Sequence, residues 1–177
     1  MDIIDRIEEL ESFYGDLKFT DRLDLTEHQR YFVDLEDDSR EVMYELLSPR
    51  CSGRTYSMLL KAIKIALNEP GTYYINVLSR TYNGSRLCAN QMRCILEDNN
   101  LLEYVNCIAI DHVDFKNGVR IRFGAYNQEN TLRGHRCKYI FVDDWSRYFR
   151  DSDSLAMTIS SATLPYNDGQ VFYMCTN

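Results

Sequence analysis

The chain has 177 residues, of which 45% are hydrophobic and 12% aromatic, and a formal net charge of −7. That apolar share excludes a disordered tail and suits one domain with a sizeable core, while the length is short for two. The acid excess excludes a general attraction to nucleic acid, which would have to be met through a local patch or an oligomeric ring.

No apolar run reaches the length of a membrane span, and the acidic N-terminus carries no signal-peptide pattern, so a soluble intracellular protein is expected. The six cysteines are scattered without a C-x-x-C pair, as reduced and mostly buried thiols would be. Ile3, Ile4, Ile7 and Leu10 recur at helical spacing among acids and predict an amphipathic N-terminal extension over 1–24, ahead of a core over 25–177. "LTEHQRYFVDL" follows, with Thr26 placed to cap a short helix. Val42 to Leu47 reads as a strand, and Met58, Leu59, Ala62, Ile63 and Ala66 mark one face of a helix. Pro70 and Gly71 precede a strand from Thr72 to Ser79, then a helix starting near Gly84 that buries Cys88, Met92, Ile95 and Leu96 and ends at "EDNN". Tyr104 to Ile110 is strand-like. Asn117 and Gly118 predict a hairpin turn into "VRIRFGA", with Val119, Ile121, Phe123 and Ala125 alternating against polar neighbours. "KYIFVDDW" is the most buried-looking strand and "GQVFYMCTN" supplies the last. Strands alternating with helices predict an α/β fold with a largely parallel central sheet flanked by helices and a β-hairpin insertion.

Between the first strand and its helix lies "SPRCSGRT". A phosphate-cradling loop is written G-x-x-x-x-G-K-[ST], because converging backbone N–H groups, a Lys and a hydroxyl must all reach the phosphates and their Mg²⁺. Gly53 and Thr55 match its end, Arg54 stands in the Lys position, and Ser48 replaces the opening Gly. A helix N-terminus after a strand favours an anion, but an ordinary turn with Ser as N-cap accounts for this stretch alone equally well. The second feature is the strand Tyr139 to Val142 ending in Asp143 and Asp144. In a phosphate-loop NTPase the first acid there assists Mg²⁺ and the second orients the attacking water. An Asp pair capping the next helix is the alternative, and the order of the two features together favours the NTPase. His112 between Asp111 and Asp114 has no second His at ligand spacing, so a turn between strands is expected there.

In this order the motifs resemble the ATPase domain of the large terminase subunit, the motor that packages DNA into viral capsids, a RecA-like P-loop NTPase of the additional-strand class. The resemblance spans roughly 25–177. It rests on "SPRCSGRT" with Arg50 early in the loop, Gln29 upstream, "TLRGHRCKYIFVDDW" with Arg133 and Gly134 before the acidic strand, and "VFYMCTN" as the coupling strand. It implies ATP and Mg²⁺ as ligands, held by Gln29 at the base, by Pro49, Arg50, Cys51, Ser52, Gly53, Arg54 and Thr55 at the phosphates, and by Thr55 and Asp143 at the metal. Asp144, Arg50 and Arg54 would serve catalysis, and Thr176 would sense the γ-phosphate. The partners implied are double-stranded DNA, a portal protein, a small terminase subunit and further copies in a ring, in the host cytoplasm or nucleus.

Two departures qualify the resemblance. Arg54 replaces a Lys, and Asp144 replaces a Glu with an arm shorter by one methylene, so nucleotide binding is expected ahead of fast turnover. A non-hydrolysing nucleotide-binding or assembly module is the alternative, and a helicase-like ATPase another, although "DDWS" lacks the D-E-x-[HD] continuation of that class. Arg147 and Arg150 are candidates for a trans-acting charge, and Arg120 and Arg122 for a DNA contact, with solvated surface roles the simpler account of all four. A large terminase continues into an RNase H-like nuclease domain, so a chain ending at Asn177 reads as an ATPase-domain fragment of a longer protein.

Overall fold

A computed structural model describes residues 19–45, 53–126, 136–145 and 152–175. The N-terminal extension lies largely outside them, as do Arg133, Gly134, Arg147 and Arg150. Helix α1 (Glu27–Asp34) opens with a capping box. The Thr26 hydroxyl accepts from the Gln29 amide N–H at 3.4 Å, and Gln29 Oε1 accepts from the Thr26 N–H at 2.9 Å. Strand β1 (Glu41–Glu45) follows, Leu46 and Leu47 of the expected strand lying outside the described residues, and then comes helix α2 (Arg54–Asn68). The five predicted core positions of α2 are all buried, together with Leu60, Lys61 and Leu67, because α2 packs under α1 as well as on the sheet.

Strand β2 (Tyr74–Ser79) leads into helix α3 (Tyr82–Asp98), where the Thr81 hydroxyl accepts from Gly84 N–H at 3.1 Å. Cys88, Met92, Ile95 and Leu96 are buried as expected. Three antiparallel-linked strands come next, β3 (Val105–Ile108), β4 (His112–Phe115) and β5 (Arg120–Ala125). His112 and Asp114 therefore lie within β4 and not in a turn, which is confined to the residues just before them. Val113 and Phe115 are buried and alternate with the half-buried His112 and Asp114, a period-2 pattern too short at four residues to stand out in sequence. The Asn117–Gly118 turn forms as predicted. Gly118 has φ 95°, and a Cβ there would sit 3.0 Å from the Gly71 carbonyl oxygen. Strand β6 (Tyr139–Trp145), helix α4 (Ser152–Ser161) and strand β7 (Gln170–Cys175) complete the described chain.

The seven strands form one sheet in the order β1-β7-β6-β2-β5-β4-β3. All neighbours from β1 to β5 are parallel, and the hairpin strands decorate one edge. The last strand, β7, thus lies between β1 and β6. One face carries Ile75, Val77, Ile121, Phe141 and Phe172 under helices α1, α2 and α3. The other carries Leu78, Ile140, Val142, Val171 and Tyr173 against Ile159 of α4. Buried area of this kind on both faces is what near-continuous apolar strands such as "YIFV" require.

Candidate nucleotide-binding site

The C-terminal ends of β2 and β6 and the N-termini of α2 and α3 converge on a cavity of about 300 Å³. Arg54, Thr55, Arg80, Thr81, Asp143 and Asp144 are among the residues lining it. Wider clefts of about 350 Å³ lie elsewhere, one near the start of β6 and β7 and one on the β2, β4 and β5 strands. Of these three, the smaller cavity alone joins helix N-termini to strand C-termini, which is where parallel α/β sheets take anionic ligands.

Helix α2 starts there because Gly53, its N-cap, adopts φ 76°, a left-handed conformation open to glycine at no steric cost. Gly53, and not a serine, is therefore the cap. Its carbonyl accepts from the Ser57 N–H at 2.9 Å and from the Ser57 hydroxyl at 2.8 Å. The Gln29 side-chain amide packs against Gly53, where a Cβ would collide with it. Gln29 is thus brought to the loop's end, but its Oε1 is already engaged in the α1 cap.

The Thr55 hydroxyl donates to the Asp143 carboxylate, 3.0 Å from Oδ2 and 3.2 Å from Oδ1. Burial pushes the Asp143 carboxyl above the ordinary carboxylate range, and the Thr55 bond and the Arg54 charge pull it back in part. The Cys88 thiol stands 3.9 Å from Asp143 Oδ2 and 3.3 Å from the Ser79 hydroxyl. Burial raises that thiol to about 11, so it is a neutral donor at neutral pH and no competing anion.

Asp144 has φ 54° and is exposed. The β6–β7 register shifts between Val142 and Trp145, so Asp143 and Asp144 together face the single residue Met174, as in a β-bulge. The Tyr126 hydroxyl donates to the Asp144 carbonyl at 3.1 Å. Arg54 turns toward the neighbouring strand, its Nη1 donating to the Cys175 carbonyl at 2.8 Å.

Of the residues singled out in sequence, Gln29, Gly53, Arg54, Thr55, Asp143 and Asp144 come together. Pro49, Arg50, Cys51, Ser52 and Thr176 lie outside the described residues. Sequence reading overlooked Ser79, Arg80, Thr81, Cys88 and Tyr126. A signal was present for two of them: Arg54-Thr55-Tyr56 and Arg80-Thr81-Tyr82 are the same tripeptide, each at the opening of a helix. Arg120 and Arg122 lie away from this cavity. Arg120 forms a forked ion pair with Asp114, and the Arg122 guanidinium sits 4.4 Å from the centre of the Tyr74 ring. Among the described residues no group of His, Cys, Asp and Glu is arranged as a metal cluster, and no helix is long and apolar enough to cross a membrane.

No protein-family model matches this chain, and no curated protein sequence does. Solved structures do. The HK97 bacteriophage large terminase aligns with a TM-score of 0.73 over 96% of this chain, at 12% identity. The ATPase domain of the Thermus phage P74-26 large terminase aligns at 0.67 over 97% of this chain and 68% of its own, at 14% identity. The fold is that of phage large-terminase ATPase domains. The large terminase of a thermophilic bacteriophage in complex with ADP also aligns, at 0.62 over 86% of this chain and 39% of that one, at 14% identity. This chain spans 37% of the HK97 terminase.

Proposed function

We propose that this chain is the ATP-binding and hydrolysing domain of a genome-packaging motor of the large-terminase type, coupling phosphate loss to movement of double-stranded DNA. The observation that carries the reading is the Thr55 hydroxyl 3.0 Å from the Asp143 carboxylate, beside a helix N-terminus at the sheet's C-terminal edge. A hydroxyl and a carboxylate are the hard oxygen donors that Mg²⁺ takes in phosphoryl-transfer sites, so the residues fit the ion. Thr55 and Asp143 would hold Mg²⁺, which would supply charge neutralisation at the phosphates. The likeness of fold and the ADP carried by one similar terminase support nucleotide as the ligand.

In this reading the backbone amides between Pro49 and Thr55 cradle the phosphates and Arg54 offsets their charge. Asp144 accepts a hydrogen bond from the attacking water and aligns it. Arg50 and Thr176 respond to the γ-phosphate, and Gln29 meets the base once its amide leaves the α1 cap. A portal protein, a small terminase subunit and sister copies in a ring complete the assembly.

Asp144 favours a second reading, nucleotide binding without turnover, because it is exposed and one methylene shorter than the Glu the family uses. Titration of Mg-ATP with parallel phosphate-release assays on wild type, Arg54→Ala, Asp143→Ala and Asp144→Glu separates the two. The motor reading expects binding lost in Arg54→Ala and Asp143→Ala and turnover raised in Asp144→Glu. Binding without turnover in both wild type and Asp144→Glu supports the second reading. Absence of binding by wild type at millimolar ATP sinks both.

A further inference from the structure

A phosphate loop ordinarily presents a Lys where this chain has Arg54, and the difference has a geometric use. Arg54 is the first residue of α2 and lines the cavity with Thr55 and Asp143. Its Nη1 also donates to the Cys175 carbonyl at 2.8 Å. Cys175 is the last residue of β7, the strand between β1 and β6, and its carbonyl belongs to the peptide bond that leads into Thr176. A guanidinium carries five N–H donors in a rigid plane, so one edge can hold a carbonyl while the other faces an anion. An ammonium carries its three donors on one nitrogen, so it joins two acceptors only where both lie within hydrogen-bond distance of that single atom.

Resting on the nucleotide reading above, we infer that Arg54 bridges the terminal phosphate of a bound nucleotide to the C-terminal end of β7. Loss of the γ-phosphate is then transmitted to that strand end through the guanidinium itself. The Lys-to-Arg departure becomes a coupling device: the residue that meets the phosphate also grips the strand that must respond. Asp143 and Asp144 line the same cavity as Arg54.

The test is amide hydrogen exchange over residues 170–177 in wild type and Arg54→Lys, with saturating Mg²⁺ and either a non-hydrolysable ATP analogue or ADP. Fluorescent-nucleotide titration runs alongside. Wild type is expected to exchange at least about threefold more slowly at the end of β7 with the analogue than with ADP. Arg54→Lys keeps the charge, so it should bind the analogue within roughly tenfold of wild type while losing that difference. An equal difference in Arg54→Lys overturns the inference and leaves nucleotide binding intact. So does a wild type that binds both ligands and exchanges alike with each. Failure of wild type to bind the analogue overturns the nucleotide reading and this inference with it.

Discussion

The Tyr126 hydroxyl donates to the Asp144 carbonyl at 3.1 Å, and the Tyr126 ring packs edge-on against Trp145, the residue after it. Both contacts fall on the segment where the β6–β7 register shifts and Asp144 takes φ 54°. Asp tolerates left-handed backbone better than most residues, and a bulge re-aims the side chains beside it. Tyr126 therefore holds the backbone that carries Asp144, and in the proposed mechanism that backbone aims its carboxylate. Tyr126→Phe should lower kcat for ATP by about tenfold with KM nearly unchanged, since misaligning a catalytic group affects the chemical step. Tyr173→Phe removes a comparable buried hydroxyl, bonded to the Ala156 carbonyl at 3.4 Å, and should leave kcat within about twofold. Equal losses in both variants would reduce Tyr126 to a packing residue. Asp143 leads to an opposite pairing of stability and function. Burial holds the folded carboxyl above its unfolded value, so between the two values the unfolded chain has released a proton that the folded chain keeps, and stability falls as pH rises until Asp143 ionises in the fold as well. Asp143→Asn keeps an acceptor for Thr55 and removes the charge, so urea unfolding at pH 7 should show a gain in stability together with loss of Mg²⁺-dependent binding.

At the level of elements, α1 and α2 are joined by a buried cation. Lys61, 5% exposed, donates to the Leu35 carbonyl at 2.6 Å and to the Val33 carbonyl at 3.4 Å, closing the C-terminus of α1. Its Nζ lies 5.6 Å and 5.4 Å from the centres of the Phe32 and Phe172 rings. Burial lowers its pKa from 10.5 to about 8, with Lys64 adding to the fall and Asp34 and Glu36 opposing it. Between those values the unfolded chain holds a proton that the folded chain has released, so this group makes stability rise with pH from about 8 toward 10.5. Relative to Lys61→Met, wild type should gain about 2 kcal/mol between pH 7 and pH 9.5 in urea unfolding, because a tenfold change in proton affinity corresponds to about 1.4 kcal/mol. A difference that stays flat over that range would mean the ammonium is not disfavoured by its site. Such a residue marks the limit of sequence reading. The stripe of Met58, Leu59, Ala62, Ile63 and Ala66 was legible because it follows helical spacing. Lys61 was not, because its burial depends on where α1 lies, a contact between segments that no local period encodes. The same holds at the site. Thr55 and Asp143 were legible as the ends of two motifs, whereas Tyr126 and Cys88 reach it only through the sheet's strand order.

The strand order also determines how the whole molecule answers its ligand: α2 follows β1, the acids end β6, and β7 holds those two strands together by parallel pairing on both sides. The predicted alternation of strands and helices carried the parallel sheet, and Asn117–Gly118 carried the hairpin, but the insertion of the last strand between the first and the acidic one is a pairing between distant segments. Phe172 on β7 stacks on Phe141 of β6 at 4.8 Å and meets Phe32 of α1 edge-on at 6.2 Å, so the strand between the two motifs is also the centre of the core. A ligand held by Arg54 and Thr55 on one side and Asp143 on the other would engage α2 and β6, and β7 pairs with β6 and with β1, the strand before α2. Its binding energy should therefore appear as stability of the entire domain and not of one lobe. At a free Mg-ATP concentration of about 100 Kd the gain is about 2.7 kcal/mol, which for a domain of this size raises Tm by roughly 5–10 °C. The shift should come as a single cooperative transition in calorimetry and shrink to near zero in Asp143→Ala. Two separated transitions with only one moved by nucleotide would show that the ligand grips the phosphate-loop segment alone, and that β7 does not tie the two halves of the site into one unit.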